Sequence, residues 1–190
     1  WINLRMARFS EILFISGSWR IITRFLAYLV FALLLVTEAV AVLANTPNVS
    51  ASGQIFAIAG KISGLWAATL VITQFVFSAR LKILNKIFGI DRLMVSHKFL
   101  GSTAFTLAIF HPLLLYQSDS YSFGALKLEL WPELLGAATL TLLAVIVCTS
   151  LFRLFLKLDY RYWRIIHQLT FIAVLLAAIH ALVKGSELQF

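Results

Sequence analysis

The chain has 190 residues, of which 61% are hydrophobic and only 13% are charged, and its mean hydropathy is +0.93. Soluble proteins average about 25% charged residues, so this composition excludes a water-soluble domain and predicts an integral membrane protein. The net charge of +8 could suggest a nucleic-acid partner. Because the basic residues lie between apolar runs, membrane topology accounts for them and no nucleic acid is expected.

In chain order, residues 1–19 alternate apolar positions with Arg5, Arg8 and Glu11, which predicts an amphipathic helix lying on the membrane surface. Residues 20–190 are predicted to form one transmembrane domain. It contains five apolar runs long enough to cross a hydrocarbon core of about 30 Å. These runs are 21–44, 55–78, 94–117, 133–156 and 163–183. The predicted fold is therefore an all-α transmembrane helix bundle with five spans.

The connections between the spans differ sharply in charge. Thirteen of the sixteen basic residues lie in the N-terminal segment and in the second and fourth connections. Lys127 and Lys184 lie on the other side, and Lys61 lies within the second span. The positive-inside rule then predicts a multi-pass protein with a cytoplasmic N-terminus and a C-terminus outside.

All four histidines lie in apolar spans, two in the third and two in the fifth. Both spans run outward, so His97 and His167 share an inner depth, and His111 and His180 share an outer depth about 20 Å away. We call these the inner pair and the outer pair. Paired imidazoles from facing helices suit a six-coordinate haem, whereas zinc needs its ligands gathered in one cluster. The alternative is interhelical hydrogen bonding without a cofactor.

The helix faces agree with haem binding but leave one difficulty. One stripe of the third span carries His97, Gly101, Ala104, Ala108 and His111. Its small residues would let a porphyrin lie close to the backbone, although a helix-packing seam has the same pattern. In the fifth span, 13 residues separate the histidines, which places them about 140° apart on an ideal helix. A kink, a bulge or two differently oriented haems must absorb this angle, and Pro112 either bends or ends the third helix.

At this point the residues resemble a known family, the ferric reductase and NADPH oxidase superfamily. Asp91-Arg92, His97-Lys98, Gly101 and His111 are similar to its third transmembrane helix, as is the approach from Gly60-Lys61 to Ser78-Ala79-Arg80. Tyr160, Trp163-Arg164, His167 and His180 are similar to its fifth, closest to the bacterial members. The resemblance covers roughly residues 57–185.

The resemblance implies that cytosolic NAD(P)H reduces FAD and that electrons then cross two stacked b-type haems to oxygen or ferric iron outside. His97 and His167 would hold the inner haem, and His111 and His180 the outer one, in a bacterial inner membrane. The family has six core spans, whereas five are visible here. No Gly-rich phosphate loop occurs, so FAD and NAD(P)H are expected in a domain or partner outside these residues.

Two other functions remain open. One is a haem-bearing membrane subunit that a separate flavin reductase reduces and that feeds a periplasmic partner enzyme, as in related methionine sulfoxide reductase systems. Those subunits lack an equivalent of His97. The other is a transporter or a non-enzymatic bundle in which the histidines act as polar glue.

Further residues carry site hypotheses. Lys61 is predicted to meet an outer-haem propionate or an anionic acceptor, and the alternative is an ion pair with Glu38 at similar depth. Arg92 and Arg164 are predicted to neutralise inner-haem propionates, although such charges also contact lipid headgroups. Gly101 and Phe171 are predicted to pack against haem, Phe171 in the gap between the two. The basic fourth connection is a predicted docking surface for the flavin domain.

Overall fold

The structure is a computed structural model that describes the backbone of residues 2–45, 51–118 and 131–185. Side chains are described within these ranges from residue 19 onward, except at positions 51, 52 and 185. The described ranges form helices and no strands. The helices are α1 Ile2–Ala44, α2 Ala51–Ser78, α3 Lys82–Phe88, α4 Ile90–Gln117, α5 Trp131–Leu151, α6 Tyr160–Gln168 and α7 Thr170–Gly185.

Five segments are long and apolar enough to cross a membrane. They are Trp19–Ala44, Gly53–Ser78, Ile90–Gln117, Trp131–Leu151 and Tyr160–Lys184. The prediction of an all-α membrane protein with five spans is therefore confirmed. The segment predicted to be an interfacial helix is continuous with the first span in α1. Its side chains before residue 19 lie outside the described residues, so its position on the membrane surface stays a prediction. Lys127, in the third connection, also lies outside the described residues.

The prediction that the fourth span reaches residue 156 is wrong, because α5 ends at Leu151. The chain turns over residues 152–157, where Lys157 has a φ of 47° and Leu158 donates its N–H to the carbonyl of Arg153 at 3.0 Å. Leu154 and Phe155, in this turn, are 89% and 84% exposed. An apolar turn at the membrane interface continues the hydrophobic run of the helix, so hydropathy alone placed the end too late.

The first helix is fastened to the bundle by polar bonds as well as by packing. The indole Nε1 of Trp66 donates to the carbonyl of Leu35 at 3.0 Å. We call the end of the bundle that carries most of the basic residues the basic end. Near it, Arg24 Nε donates to the carbonyl of Ile87 at 2.7 Å, so the short helix α3 is held against α1. Helix α3 lies in the second connection, where no helix was predicted from the sequence.

Two antiparallel helix pairs form the centre of the bundle. Helix α2 packs along α4 and α5 packs along α7, while α4 and α7 make few direct contacts. The buried core consists of Leu70, Val71, Ala104, Leu143, Ile146 and Ala173. Ala104 and Ala173 are 1% and 0% exposed. Both alanines fall between the two histidines of their own span, so the tightest packing lies between the two histidine levels.

Enlarging Ala173 should destabilise this middle layer. Because no space surrounds the side chain, Ala173→Leu should lower the free energy of unfolding by about 1–3 kcal/mol through overpacking. The measurement is a denaturation titration in detergent, with Ala178→Leu as control because Ala178 is exposed on the same helix. Equal losses in the two variants would contradict a packed layer at Ala173.

Candidate functional site

The four histidines meet in two pairs across the bundle. The ring centres of His97 and His167 are 6.1 Å apart, and those of His111 and His180 are 6.3 Å apart. These are the pairs that their depths in the sequence predict. Among the described residues, no group of three or more His, Cys, Asp or Glu side chains is placed to hold a metal ion. The arrangement is therefore two separate levels with two imidazoles each.

The last span is interrupted at Leu169, between its two histidines. Helix α6 ends at Gln168 and α7 begins at Thr170. At the break, Leu169 donates its N–H to the carbonyl of Ile166 at 3.0 Å, and the Thr170 hydroxyl donates to the carbonyl of His167. The 13-residue spacing is thus accompanied by an i to i−3 hydrogen bond at Leu169, and the kink, the bulge and the differently oriented haems stay predictions. Helix α4 continues past Pro112 to Gln117, so this proline does not end it.

The outer pair is held by backbone carbonyls. His111 Nδ1 lies 2.8 Å from the carbonyl oxygen of Gly60 on α2, and His180 Nδ1 lies 2.7 Å from that of Pro132 on α5. A carbonyl only accepts, so each Nδ1 carries the hydrogen and donates it. In a neutral ring, the lone pair is then on Nε2, which is the arrangement of a metal-binding histidine whose other nitrogen is hydrogen-bonded.

His167 of the inner pair is held by a side chain instead. The Ser150 hydroxyl donates to the carbonyl of Ile146 at 2.7 Å and accepts from Trp163 Nε1 at 3.1 Å. Its oxygen also lies 3.3 Å from His167 Nδ1. Because the only hydroxyl hydrogen is already donated, His167 Nδ1 must be the donor in this contact. This again leaves the lone pair on Nε2 of the neutral ring.

An aromatic stack leads from this level toward the basic end. The Trp163 and His167 rings are stacked, with centres 5.0 Å apart and planes 25° apart. The Arg153 guanidinium lies 5.5 Å from the centre of the Trp163 ring and 5.4 Å from that of Tyr160. Trp163 is therefore held by the stack with His167, by the Arg153 guanidinium and by its N–H, and this restricts the His167 ring that it covers.

His97 differs from the other three histidines. It lies against the backbone of Gln74 on α2. Among the described side chains, its Nδ1 is nevertheless buried with no hydrogen-bond partner, and so is Oε1 of Gln74. The same amide oxygen would lie 3.6 Å from a Cβ at Gly101, so Gly101 faces α2 at this level. The inner level thus has one less hydrogen bond to its imidazoles than the outer level.

The alternative interpretation of Lys61, an ion pair with Glu38, is wrong. Glu38 accepts a hydrogen bond from the Thr69 hydroxyl at 2.5 Å. Thr69 lies eight residues beyond Lys61, which is about 12 Å along α2. The two charged groups therefore do not share a depth. The half-buried Lys61 directly follows Gly60, whose carbonyl holds His111, so it lies beside the outer pair without an acidic partner among the described residues.

One ion pair occurs among the described side chains, and it also adjoins the outer pair. Lys184 Nζ lies 2.6 Å from Glu133 Oε1. Glu133 follows Pro132 on α5, and Lys184 lies one turn beyond His180 on α7. The ion pair therefore joins the two helices next to the hydrogen bond between Pro132 and His180.

The remaining predicted residues lie at the edges of this arrangement. Arg92 and Arg164 are exposed on the first turns of α4 and α6, at the basic end. Phe171 is 66% exposed, and its ring centre lies 5.2 Å from that of Phe75 on α2. It is not part of the buried layer that contains Ala104 and Ala173. Roles in haem binding for Gly101, Phe171 and the two arginines stay predictions.

The hydrogen-bond acceptors of the histidines were not found from the sequence. Backbone carbonyls at Gly60 and Pro132 have no residue-type signal, because every residue carries one. Ser150 did have a signal, since it is a polar residue near the basic end of an apolar span, at the depth of His167.

The fold and the site together define a helical membrane protein whose interior holds two levels of paired imidazoles. The family described as ferric reductase like transmembrane component matches residues 63–178. The match spans more than half of the chain and includes His97, His111 and His167, so the chain belongs to this family. His180 lies two residues beyond the matched range. The family resemblance found in the sequence is thereby confirmed. No curated protein and no solved structure matched the chain.

Removing the Ser150 hydroxyl should leave two buried N–H groups without their acceptor. Ser150→Ala is therefore expected to lower the free energy of unfolding in detergent by about 1–3 kcal/mol. Thr149→Ala is the matched control, because the Thr149 hydroxyl donates only to carbonyls of its own helix. A Ser150 variant no less stable than the control would show that the contacts with Trp163 and His167 contribute nothing.

Proposed function

We propose that this chain conducts electrons across the membrane through two b-type haems. His97 and His167 hold the inner haem, and His111 and His180 hold the outer one. Membership of a ferric reductase like family supports an oxidoreductase. The observation that carries the proposal is the separation of the imidazoles, with ring centres 6.1 Å and 6.3 Å apart at two levels.

These separations fit an iron ion between two imidazoles. Two metal–nitrogen bonds of about 2 Å each, with about 1.1 Å from each nitrogen to its ring centre, place the centres about 6 Å apart. The hydrogen bonds from Nδ1 of three histidines supply the matching tautomer, with Nε2 free to bind. The few contacts between α4 and α7 also fit a flat group inserted between the two helix pairs.

When bound, a haem takes up and releases single electrons and needs no proton partner. The task of the chain is then to hold the histidine imidazoles in place and to exclude water. The buried aliphatic layer around Ala104 and Ala173 lies between the two levels. The acceptors on Gly60, Pro132 and Ser150 keep His111, His180 and His167 in the binding tautomer, as hydrogen-bond partners of metal-binding histidines do at other sites.

The charge distribution indicates how the chain is oriented in the membrane, and this orientation gives the proposed direction of electron transfer. By the positive-inside rule, the basic end faces the cytoplasm, which makes the bacterial inner membrane the proposed location. Electrons then enter from a cytosolic flavin dehydrogenase that oxidises NAD(P)H, in a domain or partner docked on the basic fourth connection. They leave at the outer level, to oxygen or to ferric iron. In this proposal, Arg92 and Arg164, which are exposed at the basic end, neutralise inner propionates.

The pairing can be tested by counting haems in single and double variants. The purified wild-type chain should hold about two haems, and each single histidine-to-alanine variant about one, because one axial ligand alone holds haem weakly. His97→Ala with His167→Ala should also retain about one, since both changes affect the same level. His97→Ala with His111→Ala should lose both. Haem is measured against protein, with reduced-minus-oxidised visible spectra.

A same-level double variant that loses both haems would contradict the assignment of ligands. A colourless wild-type chain that also fails to take up added haemin would overturn the proposed function itself. The transporter or structural bundle would then be the better interpretation.

Lys61 should promote electron transfer to the acceptor and should not be needed to retain haem. We expect Lys61→Ala to keep both haems but to slow the reoxidation of the reduced chain by a ferric chelate about three- to tenfold, equivalent to about 0.7–1.4 kcal/mol of lost attraction. The control is Lys82→Ala, on α3 at the basic end. The assay is stopped-flow absorbance with ferric citrate and, separately, with oxygen. Unchanged rates with both acceptors would remove Lys61 from the acceptor site.

A further inference from the structure

The two carbonyl acceptors of the outer pair share a local arrangement. Gly60, whose carbonyl accepts from His111, is followed four residues later by Gly64. Pro132, whose carbonyl accepts from His180, is followed four residues later by Gly136. The two segments have no other similarity, since one reads GKISG and the other PELLG.

A glycine at this position has a physical consequence. In an α-helix, the carbonyl of residue i already accepts from the N–H of residue i+4, and a second donor must approach from the side. The Cα–Cβ bonds tilt toward the N-terminus, so the side chain at i+4 covers the surface of the preceding turn. Glycine at i+4 leaves that approach open, and a ring from another helix can reach the second lone pair of the carbonyl.

The distances show that both openings are filled by a histidine ring. A Cβ added at Gly64 would lie 2.5 Å from His111 Nδ1, and one added at Gly136 would lie 2.9 Å from His180 Cε1. Both are too short for real Cβ contacts. In each case the obstructing atoms belong to the imidazole ring rather than to the end of a flexible chain.

The inner level lacks this arrangement. His167 contacts a hydroxyl on a side chain, and the Nδ1 of His97 has no hydrogen-bond partner among the described residues. Gly101, the glycine nearest to His97 in sequence, has only an ordinary contact distance of 3.6 Å to Gln74. The paired carbonyl and glycine are therefore specific to the outer level.

We infer that Gly64 and Gly136 are positioning residues for the outer haem. Each forms, with the carbonyl four residues earlier, a cradle that holds one outer histidine by its Nδ1–H and fixes the plane of its ring. The two cradles, on α2 and α5, hold the outer rings 78° apart. The role toward haem rests on the proposed function, whereas the seating of the rings does not.

The first test measures the ligand geometry. Low-spin ferric EPR spectra respond to the angle between two axial imidazole planes, so a displaced ring shifts the signal of its own level. Gly64→Ala and Gly136→Ala should each change the outer signal and lower the outer haem occupancy, while the inner signal stays as in the wild type. Ala137→Val, at an exposed position next to Gly136, is the control and should leave both signals unchanged.

The second test is a pair of double-mutant cycles that need no haem signal. In the purified full chain, Gly64→Ala should lower the Tm, but it should have no such effect in a His111→Ala background, where the added methyl group occupies vacated space. Gly136→Ala should behave in the same way with His180→Ala. The crossed combinations, Gly64→Ala with His180→Ala and Gly136→Ala with His111→Ala, should be additive.

The outcomes separate the two proposals. Two haems in the wild type, with unchanged outer EPR signals and additive cycles in the glycine variants, would overturn the cradles alone. A wild-type chain that binds no haem, with coupled cycles, would overturn the haem function and leave the seating of the rings in place. An altered inner signal with an intact outer one would also contradict the inference.

Discussion

The structure around three of the four histidines depends on one constraint, which is that an imidazole N–H in the hydrocarbon core of a bilayer is costly unless it finds an acceptor inside the protein. An unsatisfied polar group there costs several kcal/mol. Helix carbonyls already accept one bond, but each has a second lone pair. Gly60 and Pro132 use it for His111 and His180, and Ser150 provides an acceptor for His167. The acceptors for His111 of α4 and for the histidines of the last span thus lie on α2 and α5 respectively, the helices with which these elements pair.

The two levels meet this constraint with different groups. The outer rings are held by backbone carbonyls, so their acceptors are parts of the fold itself. At the inner level, the acceptor of His167 is the Ser150 hydroxyl, which is itself bonded to Ile146 and Trp163. The seating of the outer rings therefore depends on backbone positions, whereas that of His167 depends on a side chain that one substitution removes.

Much of the architecture was predictable from the sequence because hydropathy, charge and histidine spacing are signals of residue type. The five spans and the pairing of histidines by depth follow from them. The end of α5 could not be predicted, because Leu154 and Phe155 are as apolar in a turn as in a helix. The break at Leu169 was not predicted, since the 13-residue spacing required some adjustment but did not select which one. The depth of Glu38 relative to Lys61 was predicted wrongly, because the tilt of α1 and its offset along α2 cannot be read from composition.

The two histidine-bearing spans differ in how they would tolerate a change of length. On α4, 14 residues separate the histidines without a break, and on α2 the same number separates Gly60 from Gln74, which lie against them. A single residue inserted between these positions in either helix would put the two levels out of register with each other. The break at Leu169 divides the last span into segments with one histidine each, so an insertion there could be absorbed locally. Among relatives, length variation between the histidines should therefore concentrate in the last span and spare α2 and α4.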